Sequence, residues 1–224
     1  MSSTRDRPAG RRLFLALVPA PAATEVLARW LSIPANGPLP TGWRTTEPDT
    51  WHVTLVFMAA VPDAVRPRLL SGFGEVAQRA LPLPLTWGHP GAFPRPAAAR
   101  VAWIGLEDRG DPDTGPSGAL TTVGALARAC RRAAERVGAG PDRTGFRAHL
   151  TLGRSNRPRD LSEHLALPGA PSGPAWVADR MVLVESRPGA GERGRPRYVE
   201  RADWHLGRPA EDSAAACCGP DVAP

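Results

Sequence analysis

The sequence predicts a mixed α/β (α+β) domain built from two halves, and three observations carry that prediction. Apolar runs of strand length alternate with runs of helical periodicity along most of the 224 residues. A His-x-Thr phrase inside a short apolar run occurs twice, as His52-Val53-Thr54-Leu55 and His149-Leu150-Thr151-Leu152, 97 residues apart. That separation is too long for a tandem repeat and suits two lobes of one domain. The chain carries no P-loop motif, and its G-x-G-x-x-G string, Gly189 to Gly194, joins two strand-like runs instead of opening a helix, which argues against P-loop and dinucleotide-binding folds.

Residues 1–10 are polar and basic and read as a disordered lead-in to a single folded domain spanning 11–207. Arg11 to Val18 reads as a first strand, and Ala22 to Leu31 as a helix that Ile33-Pro34 ends. Trp51 to Phe57 is the first motif strand. Pro62 or Pro67 then opens a helix running to about Ala80, because proline is tolerated in a first helical turn. Leu83 to Trp87 and Arg100 to Leu106 read as strands flanking a turn-rich stretch, Gly88 to Pro96.

Asp108 to Gly118, rich in acidic residues, glycine and proline, reads as a solvated loop between the halves. Leu120, Val123, Ala127, Cys130, Ala134 and Val137 recur at helical spacing, with Arg128, Arg131, Arg132 and Arg136 on the solvated side. Arg147 to Arg154 is the second motif strand, followed by a Pro/Arg-rich stretch and a short helix around Leu161 to Ala166. Met181 to Glu185 and Tyr198 to Leu206 read as closing strands. Residues 208–224 hold too little apolar surface to pack and read as a disordered tail.

The motifs carry the chemistry. On a strand, residues two apart share a face, so His52 and Thr54, or His149 and Thr151, point one way while Val53/Leu55, or Leu150/Leu152, point to the core. Two such strands facing one cleft would supply two acid/base groups and two hydroxyl donors, a kit for metal-free phosphoester chemistry. Arg154 is a candidate for phosphate binding, although strict alternation puts it off the Thr151 face unless the strand ends or bulges there. Trp43 and Phe57 are candidates to line the groove and stack a base. His89 and His164 read as exposed, and His205 as structural.

Composition bounds the partners. The net charge of +6 and pI near 10.7 suit a phosphate-bearing ligand, but all 28 basic residues are arginine amid 26 prolines and 23 glycines. Such a chain-wide bias makes the charge permissive for RNA rather than diagnostic of it. Cys130 reads as a small buried side chain, and the Cys217-Cys218 pair lies in the tail; neither a disulfide framework nor a zinc site is expected. No apolar run approaches the roughly 20 residues of a membrane span, so a soluble, cytoplasmic, monomeric protein without membrane contact is the expectation.

With the motifs placed, the chain resembles the 2H phosphoesterase superfamily, and within it the RNA 2′,3′-cyclic phosphodiesterases, also called 2′-5′ RNA ligases. The resembling segments are Arg12-Leu13-Phe14-Leu15-Ala16-Leu17, Trp51 to Phe57, the Gly91-Ala92-Phe93-Pro94 turn, Phe146 to Arg154, and Val182 to Ser186 followed by Tyr198. Phe57-Met58-Ala59 replaces the usual Phe-Leu-Gly, and Ala148 replaces a proline common before the second histidine; neither change removes a chemical group. The resemblance implies a bilobal fold, two pseudo-symmetric lobes each with an antiparallel-rich sheet flanked by helices around a central groove. It implies hydrolysis of an RNA terminal 2′,3′-cyclic phosphate to a 2′-phosphomonoester, without cofactor or metal. His52 would be the proton donor and His149 the proton acceptor, with Thr54 and Thr151 holding phosphate oxygens. RNA with a cyclic-phosphate end, tRNA fragments among the candidates, would be the partner. The alternatives are a phosphodiesterase for small nucleotide cyclic phosphates or 2′-5′ linkages, including reverse ligation, and a non-catalytic RNA-binding module.

Overall fold

The structure, a computed structural model, describes residues 10–33, 39–109, 120–166 and 169–207. The lead-in through residue 9, loop residues 110–118, and the tail with Cys217 and Cys218 lie outside the described residues. Nine strands are described: β1 (Arg11–Leu17), β2 (Arg44–Thr45), β3 (Val53–Val61), β4 (Leu83–Phe93), β5 (Ala99–Asp108), β6 (His149–Arg159), β7 (Trp176–Ala178), β8 (Arg180–Arg187) and β9 (Arg197–His205). They pair antiparallel in the order β7-β4-β5-β6-β3-β1-β8-β9, with β2 added onto β6.

The two lobes are the two halves of this one sheet, β9-β8-β1-β3 and β6-β5-β4-β7. Each half ends inward on a motif strand, and the halves meet through the pair Val53 and Leu150, the residues inside the two motifs. The join therefore sits at the two motifs.

Alternation sorts the strands into a core side and a groove side. Leu13, Leu15 and Leu17 of β1, Val53 and Leu55 of β3, and Leu150 and Leu152 of β6 belong to the main core. Phe14, Ala16, Val182 and Val184 form a smaller cluster on the opposite face, with Phe57 packed against it. Helices α1 (Pro21–Ser32), α2 (Arg66–Arg79), α3 (Val123–Arg136) and α4 (Ser162–Ala166) complete the fold. α2 and α3 pack on each other, α3 against β3 and α2 against β9. The buried face of α3 is small, with Ala127, Ala129, Ala133 and Ala134 beside Cys130, which lets the helix lie close to its neighbours. Thr122 Oγ1 caps α3 by accepting from the Ala125 N–H at 3.2 Å. Phe73 of α2 is fully buried edge-on to Trp204, a placement worth about 1.5–3 kcal/mol in apolar burial. α1 serves the other half: the Trp87 indole N–H of β4 donates to the Ala23 carbonyl at 3.0 Å.

Several boundaries differ from the sequence reading, each for an identifiable reason. The stretch from Gly88 to Phe93, read as a turn, is strand, because a register shift between Trp87 and Pro90 absorbs its glycine and proline within the ladder to β5. Gly91 is needed there: a Cβ at that position would collide with the Trp103 ring. β6 starts at His149 rather than Arg147 and runs on through the Pro/Arg-rich stretch to Arg159, since Arg159 still pairs with Ala99. Asp108 closes β5 rather than opening a loop, and its carboxylate accepts from the Val123 N–H at the start of α3. β2 and β7 are too short to leave a periodic signal. His164 is half-buried rather than exposed. Among the described residues no helix is long and apolar enough to cross a membrane.

One buried charge shapes the back of the sheet. Glu185 on β8 accepts hydrogen bonds from Arg11 (3.1 Å), Arg187 (3.0 Å) and Arg201 (2.7 Å). Burial alone would raise its carboxyl pKa, but these hydrogen bonds and the charge of Arg201 carry it down to about 2. A depressed folded-state pKa contributes stability above the unfolded value near 4.5, and that contribution drains as pH falls toward 2. Glu185→Gln should cost about 2–3 kcal/mol at neutral pH by leaving three guanidinium groups without their carboxylate. The variant should also lose less stability than the parent between pH 4.5 and 2 in urea titrations. Equal acid sensitivity in the two proteins would refute this account.

Candidate active site

The pairing of Val53 with Leu150 fixes how the motifs meet. In an antiparallel pair that register sets His52 across from Thr151 and Thr54 across from His149, so each imidazole neighbours the other strand's hydroxyl. All four side chains line one pocket with Thr46, Thr50, Arg154 and Tyr198, enclosing about 430 Å³ including its open mouth. An adjoining recess shares Thr54 and His149 and reaches Phe57, Phe146 and Arg147.

Each motif strand bulges immediately after its threonine. On β3, Ala16 pairs with Thr54 but Leu15 with Val56, leaving Leu55 extra. On β6, Trp103 pairs with Thr151 but Ala102 with Gly153, leaving Leu152 extra. One extra residue restores the face at the third position instead of the second. Phe57 therefore shares the groove face with Thr54, opposite Phe14 in the ladder. Arg154 likewise shares it with Thr151, and its Nη2 reaches Thr151 Oγ1 at 3.5 Å.

The two histidines are oriented alike. His52 Nδ1–H donates to the Thr50 carbonyl at 2.7 Å, and His149 Nδ1–H to the Arg147 carbonyl at 2.7 Å. In both cases the acceptor lies two residues upstream and fixes the tautomer, leaving Nε2 for proton transfer. Aromatic rings hold each imidazole. His52 stacks on Phe14 (centroids 4.6 Å apart) and meets the edge of Tyr198 (5.6 Å). His149 meets Phe93 (5.0 Å) and Trp103 (6.0 Å) edge to face. Thr46 joins the lobes: its hydroxyl donates to the Thr151 carbonyl at 2.7 Å and accepts from the Trp51 indole N–H at 3.1 Å.

Comparison with known proteins bears on this geometry. A family model described as LigT-like phosphoesterase matches residues 18–103. Escherichia coli LigT, solved in complex with NADP+, is 26% identical and superposes with a TM-score of 0.64 over 88% of this chain and 99% of that one. The chain is thus similar to the LigT-like phosphoesterases over residues 18–103 and to LigT in fold over most of its length. The TT0787 protein of Thermus thermophilus, at 21% identity, shares the fold with a TM-score of 0.66 over 88% of this chain and 98% of its own. An RNA 2′,3′-cyclic phosphodiesterase of Archaeoglobus fulgidus is 32% identical over 117 residues, covering 52% of this chain; the match spans 58% of the relative's length.

The pocket of this chain is cationic. Desolvation lowers the pKa of both histidines; the carbonyl hydrogen bonds raise it in part, and the charge of Arg154 lowers it further. Desolvation also lowers the Arg154 pKa; the electrostatic interaction with Tyr198 raises it in part, and the charges of Arg12 and Arg44 lower it again. Among the described residues no carboxylate lines the pocket, so an anion is the species that relieves it. Among the described residues no three His, Cys, Asp or Glu side chains converge as candidate metal ligands.

Of the residues singled out in the sequence, His52, His149, Thr54, Thr151 and Arg154 meet in one pocket, and Phe57 lies beside it under the Arg12 guanidinium at 4.4 Å. Trp43 does not join them. It packs with Leu39 and Leu165 against Ala92, Ala99, Ala102 and Leu161, and Ala102 faces away from the groove-side Trp103. Sequence reasoning missed Tyr198, Thr46, Thr50 and Phe14. Tyr198 and Phe14 carry only the signal of groove-side positions on strands flanking a motif strand, while Thr46 and Thr50 lie in a segment without periodicity.

Proposed function

We propose that this protein hydrolyses the 2′,3′-cyclic phosphate at the end of an RNA chain to a 2′-phosphomonoester, using its two histidines as acid and base without a metal. The observation that carries this reading is the matched pair of Nδ1-anchored imidazoles on two inner strands of one anion-attracting pocket. Displacement at phosphorus needs a base at the entering water and an acid at the leaving oxygen. His149 Nε2 takes the water proton, and the oxygen attacks phosphorus. The bond from phosphorus to O3′ breaks, and His52 Nε2–H protonates O3′. Thr54, Thr151 and Arg154 hold the non-bridging oxygens as charge builds on them. The activity named for the archaeal relative supports the substrate class.

The test is incubation of an RNA oligonucleotide ending in a 2′,3′-cyclic phosphate in EDTA, with the product phosphate mapped. A 2′-phosphate end is expected; no turnover in EDTA, or a 3′-phosphate end, would overturn the reading. The pH profile supplies a second check. Catalysis needs one imidazole protonated and the other neutral, and both pKa values are held below 6.5 in the free protein. The kcat/KM profile should therefore peak below pH 6.5 and fall toward neutrality. The kcat profile should lie at higher pH, because the bound phosphodiester anion raises the pKa of the acid.

A further inference from the structure

Beyond the pocket, the outer half of β6 gathers several arginines close together. In the other half of the sheet several arginines have carboxylate partners: Arg11 has Asp63 and Glu185, Arg187 and Arg201 share Glu185, and Arg180 has Glu200 and Asp203. Along β2 and β6, Arg44, Arg154, Arg157 and Arg159 have no carboxylate at ion-pair distance among the described residues. Arg44 and Arg154 are direct partners in the antiparallel ladder, where like charges opposite each other are destabilising. The fold tolerates that arrangement without an internal counter-charge.

Two of these guanidinium groups, Arg44 and Arg159, are also held in place. With Arg157 they border a recess lined by Gly42, Arg44, Ser155, Asn156, Arg157 and Arg159, about 450 Å³ including its mouth and without an acidic side chain among the described residues. Arg44 Nη2 donates to Asn156 Oδ1 at 3.0 Å, and Arg159 Nε donates to Oγ of the buried Ser155 at 3.2 Å. Arg100 Nη1 braces the same strand from β5 by donating to the Asn156 carbonyl at 2.9 Å. Gly42, at φ +92°, lets the Arg159 guanidinium lie directly over its backbone, where a Cβ would collide with it. Each tether engages a neutral acceptor, so the charges stay available while the side chains lose freedom. A recess with three guanidinium groups, two of them pre-oriented, suits a phosphate, which guanidinium binds with two parallel N–H donors.

The recess lies on the same strand as the reacting groups, with Arg157 roughly 10 Å beyond Arg154 along β6. An RNA whose 3′ end sits at the two histidines extends only upstream. We propose that the Arg44-Arg157-Arg159 recess is a second subsite, holding a backbone phosphodiester of the RNA upstream of its cyclic end. This rests on the RNA phosphodiesterase reading above. It adds a prediction that the reading does not contain, a preference for oligonucleotides over a cyclic mononucleotide.

The experiment compares the parent with Arg157→Ala/Arg159→Ala, and with Arg68→Ala/Arg136→Ala as a control that removes the same charge from exposed positions on α2 and α3. Substrates are a cyclic mononucleotide and a tetranucleotide ending in a 2′,3′-cyclic phosphate. Fluorescence anisotropy of the tetranucleotide with a 2′-phosphate end measures affinity without turnover. The recess variant should raise KM and Kd for the tetranucleotide about tenfold and leave the mononucleotide within twofold. Its slope of log Kd against log salt should fall by about 0.7, the loss of one phosphate contact on a single strand. Unchanged tetranucleotide affinity, equal losses on both substrates, or an equal loss in the control would overturn the subsite. Failure of the parent to hydrolyse either substrate would instead count against the phosphodiesterase reading, and the anisotropy would still decide the recess.

Discussion

His52→Ala and His149→Ala should each lower kcat on a 2′,3′-cyclic phosphate by about 10²- to 10⁴-fold, the usual contribution of one positioned acid or base. That range corresponds to about 3–5 kcal/mol of transition-state stabilisation per imidazole. The double variant should fall little further than the worse single one, because removing either partner already disables the concerted proton transfer. KM should change far less, since the phosphate oxygens are assigned to Thr54, Thr151 and Arg154. The pH profile separates the roles. Each single variant should lose one limb of its kcat/KM bell, the acidic limb where the base is gone and the basic limb where the acid is gone. His149→Ala should thus flatten at low pH and His52→Ala at high pH. The same limb missing from both, or a loss under tenfold in either, would refute the assignment. Each ring also packs on two aromatic neighbours, so thermal melts must accompany the kinetics. A kcat loss with an unshifted Tm belongs to chemistry.

Much of this site was legible in the sequence because strand alternation is a strict rule. His52 with Thr54, and His149 with Thr151, face the groove while Val53, Leu55, Leu150 and Leu152 face the core, as a period of two requires. Bulges break that rule, and they decided what alternation left open. Nothing in Leu152-Gly153-Arg154 announces that Leu152 is the extra residue, since the register is set by the partner strand, where Trp103 and Ala102 are adjacent. Once the bulge is present, Arg154 enters the pocket. Phe57 follows by the same device on β3, and the two sites correspond: third residue after the motif threonine, aromatic in one lobe and cationic in the other. Trp43 shows the opposite outcome. Its side is set by β2, two residues long, which hydrogen-bonds to β6 and leaves no alternation to read. The turn expected at Gly88 to Pro96 misled because glycine and proline also mark bulged strands, and here Gly91 makes room for the indole that flanks His149. Tyr198 arrives from the far end of the chain by way of β9, a placement only the tertiary fold supplies.

Arg154→Ala should lower kcat/KM on the cyclic phosphate by about 10²-fold or more, the scale of removing one pre-oriented donor to developing charge. Arg154→Lys should recover only a minor part, because a lysine ammonium cannot reproduce the two parallel donors of a guanidinium. The substitution has a second consequence that a merely structural role would lack. Positive charge on Arg154 pushes the pKa of both His52 and His149 down. Its removal should raise both toward 6.5, an upward shift readable in the imidazole proton resonances of the free protein. The kcat/KM optimum of the alanine variant should then move to higher pH while its height drops, whereas the lysine variant should keep the parental optimum. The two readouts point in opposite directions for rate and for pKa, so global loosening of the pocket does not imitate them. Unfolding would abolish the perturbation by burial as well and return both histidines fully to the ordinary value. Activity within a few-fold of the parent would remove Arg154 from the phosphate, and an unmoved pair of histidine titrations would show that its charge does not reach them.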